Sequence, residues 1–549
     1  MTQSTWTHTG RADARVYTRA LGLNELGFYY DGHINGTADT FMHNTIHILN
    51  LEEDKHCITP ANIARAWCAL KARFPLLAAS VQLRDSHHHF VVAEQRLKSL
   101  VPGEISVASV SSLEEVQTAV ADGVGGERRL SDDLLCRIVF LSRTDDSSTH
   151  HVLINVAHLI IDGVGNMSLL KSFLDILSSP DGHTGPPDLE ARLSLAVAAE
   201  SLVPTLKMSV AQQRWRRAAG QIISQIQDAK RTGGHTLPRF FGPVATHLPA
   251  RSGLLTAPLS STLSSHITRN LKMHGITVGN ALPVLAQAAL ARILCRRYVR
   301  GEIGPEEWEF RKKEPYHTAG PINLRPFLDK AWYKAGGHSN VSVNVAYFYF
   351  TLGFVPLGPR NLAPGDSVPE FSELMSPARF LLRCNTMKKL ASRYLNHPLF
   401  FEVGGARLAG KIPRQKMVAT KWEKDPTSFV RPGEVEDNNA SPAEQAKRGT
   451  VMAHGWSTFG SIGNALPREY PSQRGPSKPP ILRLESYRQH LHCRTGELYL
   501  GAGGSSDQIS LILYWDKNVY PEEIVQEWIS EIIGAMEHYL GATEALAKM

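Results

Sequence analysis

The stretch Ala157-His-Leu-Ile-Ile-Asp-Gly-Val-Gly165 is the most informative part of this chain. It follows an apolar run over 151–156 and precedes a segment over 166–177 whose apolar residues recur with helical spacing. The pattern predicts a strand, a tight turn and a helix, with His158 at the end of the strand and Asp162 beside the start of the helix. Because such a junction can hold an imidazole in a fixed position, we expect acid–base chemistry there.

Each residue of this stretch also has an ordinary structural explanation. A histidine at a strand end is commonly a core residue satisfied by backbone groups, and Asp162 is a good helix N-cap. Gly163 and Gly165 are typical turn residues. The combination at one junction favours a functional site, but the local pattern alone leaves both interpretations of His158 open.

The composition is that of an ordinary globular protein with more than one domain. With 549 residues, the chain is longer than one compact core usually allows, which favours two domains or three. Apolar residues make up 42% and charged residues 20% of the chain, which excludes disordered and fibrous classes. The net charge of +7 is spread along the chain and suits a polyanionic ligand such as a nucleotide cofactor, and we expect no nucleic-acid partner.

The cysteines and the N-terminus bear on the cellular compartment. The six cysteines are scattered singly and none forms a Cys-x-x-Cys pair, so we expect neither a zinc site nor a disulfide framework. Single cysteines favour a reducing compartment. The polar start of the chain lacks the apolar core of a signal peptide, and no apolar run is expected to be long enough to span a membrane. These features predict a cytoplasmic protein with no membrane partner.

Strand-like and helix-like segments intermix along the chain, which predicts an α/β or α+β fold. We divide it into an N-terminal lobe over 1–182, a linker and long helical connection over 183–248, and a C-terminal lobe over 249–549. The polar, charged segment over 411–449 contains scattered proline and glycine. We expect that segment to be a mobile insertion.

Other short motifs are less informative. Neither glycine cluster, at 123–126 or at 501–504, has the surroundings of a dinucleotide fingerprint, and no Gly-Lys-Ser/Thr follows to make a phosphate-binding loop. We expect 501–504 to form a hairpin turn between two strands. The segment 455–460 is one residue off the Gly-x-Ser-x-Gly elbow of hydrolases. The three histidines at 87–89 favour a solvated turn over a metal site.

The spacing His158-x-x-x-Asp162-Gly163 resembles the HxxxDG motif of the CoA-dependent acyltransferases. This superfamily includes chloramphenicol acetyltransferase, plant BAHD acyltransferases, alcohol acetyltransferases and the condensation domains of peptide synthetases. Four further segments resemble those of the family in the same order: Arg19–Glu25, Gly275–Val278, Pro321–Pro326 and Ser457–Gly463. The layout is most similar to fungal trichothecene 15-O-acetyltransferases and related O-acetyltransferases of secondary metabolism. The sequence lacks the plant DFGWG motif, and no carrier or adenylation domain is recognisable in it.

The resemblance implies a fold and a reaction. The fold would have two similar lobes, each a mixed β-sheet flanked by helices, with a channel between them. Acetyl-CoA, as co-substrate, would enter from one face, and a small-molecule alcohol such as a trichothecene-like terpenoid from the other, with no metal involved. A complete site within one chain favours a monomer. The identity of the alcohol and the length of the acyl group stay open.

The resemblance also implies roles for single residues. His158 would be the general base on the acceptor hydroxyl, with no covalent acyl-enzyme. Asp162 would point away from the substrate and pair with an arginine that fixes the loop. Arg325 is the candidate partner, although an ordinary surface ion pair is the alternative for it. An oxyanion donor is expected, and Ser457 or Thr458 is the candidate by position, with strand-edge hydroxyls as the alternative.

The remaining residues of the motif and two competing functions complete these expectations. Gly163 and Gly165 would allow the backbone to approach the channel. Ala157 replaces the first histidine of the family's HHxxxDG, but the second histidine is the one that acts, so we expect catalysis to persist. One alternative is a condensation-type enzyme that takes its acyl group from a carrier-protein thioester. The other is a binding protein on the same fold that catalyses nothing.

Overall fold

The computed structural model arranges the strands and helices of the chain in two α/β lobes. The structure describes residues 5–11, 14–179, 188–239, 250–355, 361–426, 450–473, 479–504 and 508–541. Within this part of the chain there are three sheets, of four, six and six strands. The predicted α/β class and the two lobes with mixed, helix-flanked sheets are confirmed.

Strands and helices are intermixed along the chain, and the longest run of described strands without an α-helix between them lies over 452–516. The described strands are β1 (Thr7–Thr9), β2 (Val16–Ala20), β3 (Thr40–Ile48), β4 (Ser80–Arg84), β5 (His87–Ala93), β6 (Ile105–Val110), β7 (Cys136–Arg143), β8 (Thr149–Val156), β9 (Ser252–Pro258), β10 (Tyr316–Asn323), β11 (Val345–Leu352), β12 (Met452–Ser461), β13 (Glu469–Tyr470), β14 (Leu482–Leu491), β15 (Leu498–Gly504) and β16 (Ile509–Asp516). The described α-helices are α1 (Leu23–His33), α2 (Leu51–Asp54), α3 (Pro60–Arg73), α4 (Leu113–Gly125), α5 (Gly163–Leu177), α6 (Leu189–Leu195), α7 (Val210–Ala229), α8 (Ser261–Met273), α9 (Val278–Val299), α10 (Pro305–Arg311), α11 (Lys330–Lys334), α12 (Phe371–Leu374), α13 (Pro377–Leu395), α14 (Phe400–Lys424) and α15 (Glu522–Leu540).

The N-terminal lobe is built on a six-stranded sheet in the order β13–β14–β3–β8–β7–β6. Its neighbouring strands are antiparallel except for the parallel pair β6 and β7. Helix α3 begins at Pro60, a residue that suits the first helical position, and Thr59 caps it by accepting from the Asn62 backbone N–H. The apolar face of α3, including Ile63 and Trp67, is fully buried in the core of this lobe.

The C-terminal lobe is built on a second six-stranded sheet in the order β11–β10–β12–β15–β16–β9. The pairs β10–β12 and β12–β15 are parallel and the others are antiparallel. Helix α9 begins after Thr277, whose hydroxyl accepts from the Asn280 backbone N–H. Buried tryptophans, among them Trp515 and Trp528, fill the space between the sheet and its helices.

One strand from the second half of the chain belongs to the first lobe. Strand β14 pairs antiparallel with β3, from Leu482 opposite Ile48 to Leu491 opposite Thr40. The predicted boundary, which placed all of 249–549 in the C-terminal lobe, is therefore wrong for the segment that carries β13 and β14. The hydrophobic pattern predicts that a segment is a strand, but it does not say which sheet edge that strand will join.

The sequence predicted a mobile insertion over 411–449, but the first part of this segment is helical. Helix α14 continues to Lys424 and packs against α1 and α7, and the remainder of the segment, 427–449, lies outside the described residues. Val418 and Ala419 are buried against the N-terminal lobe. The many charged residues lie on the outer side of a bridging helix, which explains why the composition resembled that of a loop.

The connection between the lobes is not one long helix, in contrast to the prediction for 183–248. Helix α6 ends at Leu195, two 3-10 turns follow, and α7 starts after Ser209, whose hydroxyl accepts from the Gln212 backbone N–H. Pro204 lies in this interruption. Because proline has no backbone N–H and fixes its own φ, it disfavours a continuous helix through this segment.

The glycine run over 501–504 lies inside strand β15, so the predicted turn at these residues is wrong. The two strands on either side do form an antiparallel pair, from Leu498 opposite Trp515 to Gly504 opposite Ile509. A Cβ atom on Gly504 would lie 1.9 Å from the carbonyl oxygen of Gln508. Close backbone approach, and not a turn, is therefore the reason for glycine at this position.

Helix α9 corrects the expectation that no apolar run could span a membrane. Among the described residues it is the one helix whose length and composition would allow it to cross a membrane. Its most apolar window is 78% buried inside the protein, and the helix packs against α13 and α15. Most of the helix is packed against apolar residues of the C-terminal lobe, which accounts for its hydrophobicity.

Candidate active site

His158 lies where strand β8 ends and the chain turns towards helix α5. The residues His158–Ile160 form a 3-10 turn, and the backbone N–H of the preceding Ala157 donates to the Leu135 carbonyl. The histidine is 8% exposed. Since Ala157 is fully buried, the position that carries the first histidine of the related motif is part of the core here.

The imidazole of His158 is held by an aromatic ring from helix α1. The Phe28 ring stacks on it with 3.8 Å between ring centroids and 10° between the planes. The Nδ1 atom of His158 is buried and makes no hydrogen bond to any described residue. Stacking therefore fixes the plane of the imidazole.

Burial keeps His158 in its neutral form. Loss of solvent lowers the pKa of this histidine, and the nearby positive charge of Arg494 lowers that pKa further. The carbonyl groups of His158 and Ile161 and the carboxylate of Asp162 act in the opposite direction without reversing the shift. A neutral imidazole can accept a proton, so the electrostatics are those of a general base.

Asp162 has its hydrogen-bonding capacity taken by groups other than His158. Its Oδ1 accepts from the backbone N–H of Gly165 at 2.9 Å, which caps helix α5. Its Oδ2 accepts from Arg325 Nη1 at 2.7 Å and from the Asn344 backbone N–H at 2.8 Å. The carboxylate is 1% exposed and is satisfied by three donors, as a buried charge requires.

Arg325 connects the turn around His158 to the C-terminal lobe. It begins the 3-10 turn that follows strand β10, and its side chain is 1% exposed. Its Nη2 donates to the carbonyls of Asn340 and Ser342 at 3.1 and 3.0 Å. Asp162 and Arg325 thus form a buried, hydrogen-bonded ion pair between the lobes. The alternative that the sequence also allowed, a surface ion pair, is wrong.

The two glycines of the turn are required by close packing. A Cβ atom on Gly163 would lie 2.4 Å from the Phe459 ring of strand β12, and one on Gly165 would lie 2.9 Å from Ile161 Cγ1. Neither glycine has a positive φ. Gly163 therefore lets the C-terminal lobe pack closely against the turn. This packing role is additional to the expected approach of the backbone to the channel.

Ser457 and Thr458 lie on opposite faces of strand β12, because successive side chains of a strand alternate. Thr458 Oγ1 would lie 3.0 Å from a Cβ atom on Gly279, at the start of helix α9. Ser457 hydrogen-bonds with Tyr499 and shares its face with Phe459. Neither hydroxyl makes a hydrogen bond to His158 within the described part of the chain.

Arg494 is a residue of this site that the motifs did not identify. Its Nε donates to Asp31 Oδ2 at 3.0 Å, its Nη1 donates to Glu497 Oε1 at 3.2 Å, and its guanidinium lies 6.0 Å from the centre of the Phe28 ring. Arginine and phenylalanine are common residues without a spacing rule. The crossing of β14 between the lobes is what brings Arg494 to His158, and no local pattern reveals it.

These residues surround a cavity of about 810 Å³ between the two lobes. His158, Asp162 and Gly163 line it from the first lobe, and Arg325 and Ser457 from the second. A cavity of this size suits a small organic molecule or part of a longer cofactor. In the part of the chain that the structure describes, no group of three or more His, Cys, Asp or Glu side chains could hold a metal ion.

The sequence matches no family model and no curated protein, whereas the structure matches solved structures over almost its whole length. Trichothecene 15-O-acetyltransferase from Fusarium sporotrichioides is 13% identical, with a TM-score of 0.67 and 98% of each chain covered. The condensation domain of the monacolin K polyketide synthase is 10% identical, with a TM-score of 0.59, covering 95% of this chain and 97% of that one. The first condensation domain of the calcium-dependent antibiotic synthetase is 11% identical, with a TM-score of 0.57 and the same coverage.

The likeness at these identities concerns the fold. The chain has the two-lobed, chloramphenicol-acetyltransferase-like fold that acyltransferases and condensation domains share, as the resemblance of its motifs implied. Proteins with this fold carry out acyl transfer and related chemistry, but function resides in the site and not in the fold. The donor, the acceptor and the roles of single residues therefore have to be argued from the cavity.

Proposed function

We propose that this protein is an acyl-CoA-dependent O-acyltransferase that acetylates a hydroxyl group of a small secondary metabolite. The observation that carries the proposal is His158, an imidazole whose pKa is lowered by burial and which lines a cavity between the two lobes. The preferred acceptor is a terpenoid alcohol of the trichothecene type, by analogy with the acetyltransferase of the same fold. We further propose that it acts as a cytoplasmic monomer.

The reaction needs one base that later acts as an acid. His158 removes the proton from the acceptor hydroxyl as the oxygen attacks the thioester carbonyl carbon, and a C–O bond forms. The tetrahedral oxyanion then collapses, the C–S bond breaks, and the imidazolium returns its proton to the leaving thiolate. The products are an ester and free CoA, and no acyl-enzyme is required. General catalysis of this kind is typically worth about 10²- to 10⁴-fold in rate.

We assign the oxyanion contact to Ser457 in preference to Thr458. Ser457 shares a strand face with Phe459, which packs on Gly163 beside the turn of His158, whereas Thr458 faces the start of helix α9. A hydroxyl donor aimed at the developing negative charge stabilises the intermediate. Asp162 and Arg325 serve as positioning residues, because their contacts with each other and with backbone groups of both lobes hold the turn.

A screen of acyl-CoA donors against terpenoid and polyketide alcohols, read by mass spectrometry, tests this proposal. We expect an acetylated product and stoichiometric release of CoA, with a rate that saturates in acetyl-CoA. The second candidate, a condensation-type enzyme, is favoured by the two condensation domains of the same fold. Consumption of acyl groups only from a carrier-protein thioester would support that candidate. Binding of acetyl-CoA without turnover on any acceptor would support a protein without catalytic activity.

A further inference from the structure

Residues of the paired strands β10 and β11 line one side of the cavity, which we call the floor. Strands β10 and β11 pair antiparallel, with Asn323 opposite Val345, Pro321 opposite Tyr347 and Ala319 opposite Tyr349. All six of these residues line the cavity. Because alternate residues of a strand share a face, the floor is a continuous strip along both strands.

The distance between the two ends of this floor follows from the number of strand residues between them. At one end, the backbone N–H of Asn344 donates to Asp162, beside the turn of His158. At the other end, Tyr349 is five residues further along the chain, which at the rise of an antiparallel strand is about 17 Å. A pantetheine arm in its extended form spans a similar length between its thiol and its phosphate.

Three cations surround Tyr349, and we call Arg231, Arg407 and Lys411 the cationic rim. Arg231 and Arg407 lie 4.4 and 5.3 Å from the centre of the tyrosine ring, and Lys411 lies 5.3 Å from it. The ammonium group of Lys411 also donates to the tyrosine hydroxyl at 2.6 Å. Tyr349, Arg407 and Lys411 line the cavity, whereas Arg231 contacts the tyrosine ring without being one of the lining residues.

The cationic rim has more positive charge than its neighbours neutralise. Asp228 pairs with Arg231 and Arg407, and the part of the chain that the structure describes supplies no carboxylate to Lys411. Burial raises the pKa of Tyr349, yet Lys411, Arg231 and Arg407 together hold that pKa below its ordinary value. The electrostatic potential at this end of the floor is therefore positive and suits an anion.

Helix α14 leaves room for a ligand above the floor. Gly404, Leu408 and Lys411 recur at the spacing that places residues on one helix face, and they line the cavity with Gly405. A Cβ atom on Gly405 would have no heavy atom within 4 Å, and one on Gly404 would be near only the Tyr394 hydroxyl, at 3.9 Å. The cavity is therefore open beside this part of α14.

We propose that the cationic rim binds a phosphate group of the pantetheine arm that carries the acyl group, with the arm lying along β10 and β11. The inference rests on the proposed function, since it assumes a thioester donor at His158. Free CoA and the phosphopantetheine of a carrier protein share this chemistry, because both present a phosphate at the far end of the same arm. Lysine and arginine are the usual partners of such groups.

Calorimetric titration with CoA, 4′-phosphopantetheine and pantetheine tests the inference without knowledge of the acceptor. We expect the wild-type protein to bind CoA at least about tenfold more tightly than pantetheine, a difference that falls with added salt. Lys411→Met and Arg407→Gln should remove most of that preference and leave the affinity for pantetheine unchanged. Lys421→Met, which removes an exposed lysine elsewhere on α14, is the matched control and should change nothing.

The outcomes separate the inference from the proposed function. Equal binding of CoA and pantetheine by the wild type, or an unchanged preference in the Lys411 and Arg407 variants, overturns the rim as a phosphate site and leaves an acyltransferase possible. Failure of all three probes to bind overturns the donor itself and therefore both proposals. If the preference is confirmed, tighter binding of CoA than of 4′-phosphopantetheine identifies free CoA as the source, and equal binding identifies a carrier arm.

Discussion

The two ends of the cavity floor differ in whether their charged side chains are buried and paired. At the His158 end, Asp162 and Arg325 are each 1% exposed, and both carboxylate oxygens and both Nη atoms are hydrogen-bonded within the protein. At the Tyr349 end, Lys411 is exposed and forms no ion pair with any described residue. A buried charge needs a partner, whereas a solvent-exposed charge is stable without one and is available to bind a ligand.

This contrast suggests different roles for the two ends: one fixes the position of His158, and the other binds an anionic group of the ligand. At the His158 end, the bonds of Asp162 and Arg325 keep the turn of His158 in a single position for chemistry. The cationic rim has spare donors, which suits recognition of an anionic group. Substitutions at the first end should therefore change turnover and stability, and substitutions at the second should change binding.

The largest expected effect is that of His158→Ala on turnover. Loss of the base should lower kcat by about 10²- to 10⁴-fold, while circular dichroism and the melting temperature remain close to those of the wild type. Acetyl-CoA consumption with an acceptor found in the screen provides the measurement. His87→Ala, at the exposed start of β5, is the control and should retain full activity. Wild-type turnover in a folded His158→Ala protein would rule out the base.

Asp162→Asn should give the largest loss of stability. It leaves Arg325 buried without its countercharge, which typically costs about 3–5 kcal/mol in the free energy of unfolding. Denaturant unfolding measures this free energy directly. Asp145→Asn breaks an exposed ion pair with Arg143 and should change the same quantity by less than about 1 kcal/mol. Equal costs for the two variants would mean that the buried pair has no special role.

Gly163→Ala and Gly405→Ala test the difference between a closed and an open part of the cavity. The added methyl group on Gly163 meets the Phe459 ring, and the overpacking should cost about 1–3 kcal/mol of stability. Gly405→Ala meets nothing in helix α14 and should stabilise the protein by roughly 0.5–1 kcal/mol. Thermal unfolding of both variants measures the two changes, and stabilisation by Gly163→Ala would contradict the contact between the lobes.

The smallest expected effect is a shift in the pH profile. The proposed reaction needs neutral His158, so kcat/KM should fall as pH drops through the pKa of this histidine. Because burial lowers that pKa from 6.5, half-maximal kcat/KM should occur below pH 6.5. Arg494→Gln removes a positive charge that lowers the same pKa, so its profile should shift to higher pH. An unchanged pH profile in this variant would show that Arg494 does not influence the pKa of the catalytic base.

Local patterns predicted the elements near His158 well. The strand before it, the turn and helix α5 are all present, because an apolar run followed by a capping aspartate and glycines has few other solutions. The contact between Asp162 and Arg325, expected from the resemblance to a family, is also present. The catalytic role of His158 stays a prediction, since no ligand contact tests it.

Patterns failed where the outcome depended on a distant partner. Strand β14 was assigned to the wrong lobe, and the start of 411–449 was interpreted as a loop although it continues helix α14. Phe28 and Arg494 were missed because Phe28 stacks on His158, and Arg494 lies over Phe28, only in the folded protein. No spacing along the chain encodes such contacts.

The sequence by itself determined the α/β class, the buried faces of the helices and the turn that carries His158 and Asp162. These follow from hydrophobic periodicity and from capping, which act over a few residues. Only the tertiary structure decided which groups meet at the cavity: Phe28 on the imidazole, Arg325 on Asp162, and three cations around Tyr349. The physical reason is that the charge and shape of a cavity depend on residues far apart in the chain, which become neighbours only when the two lobes close on each other.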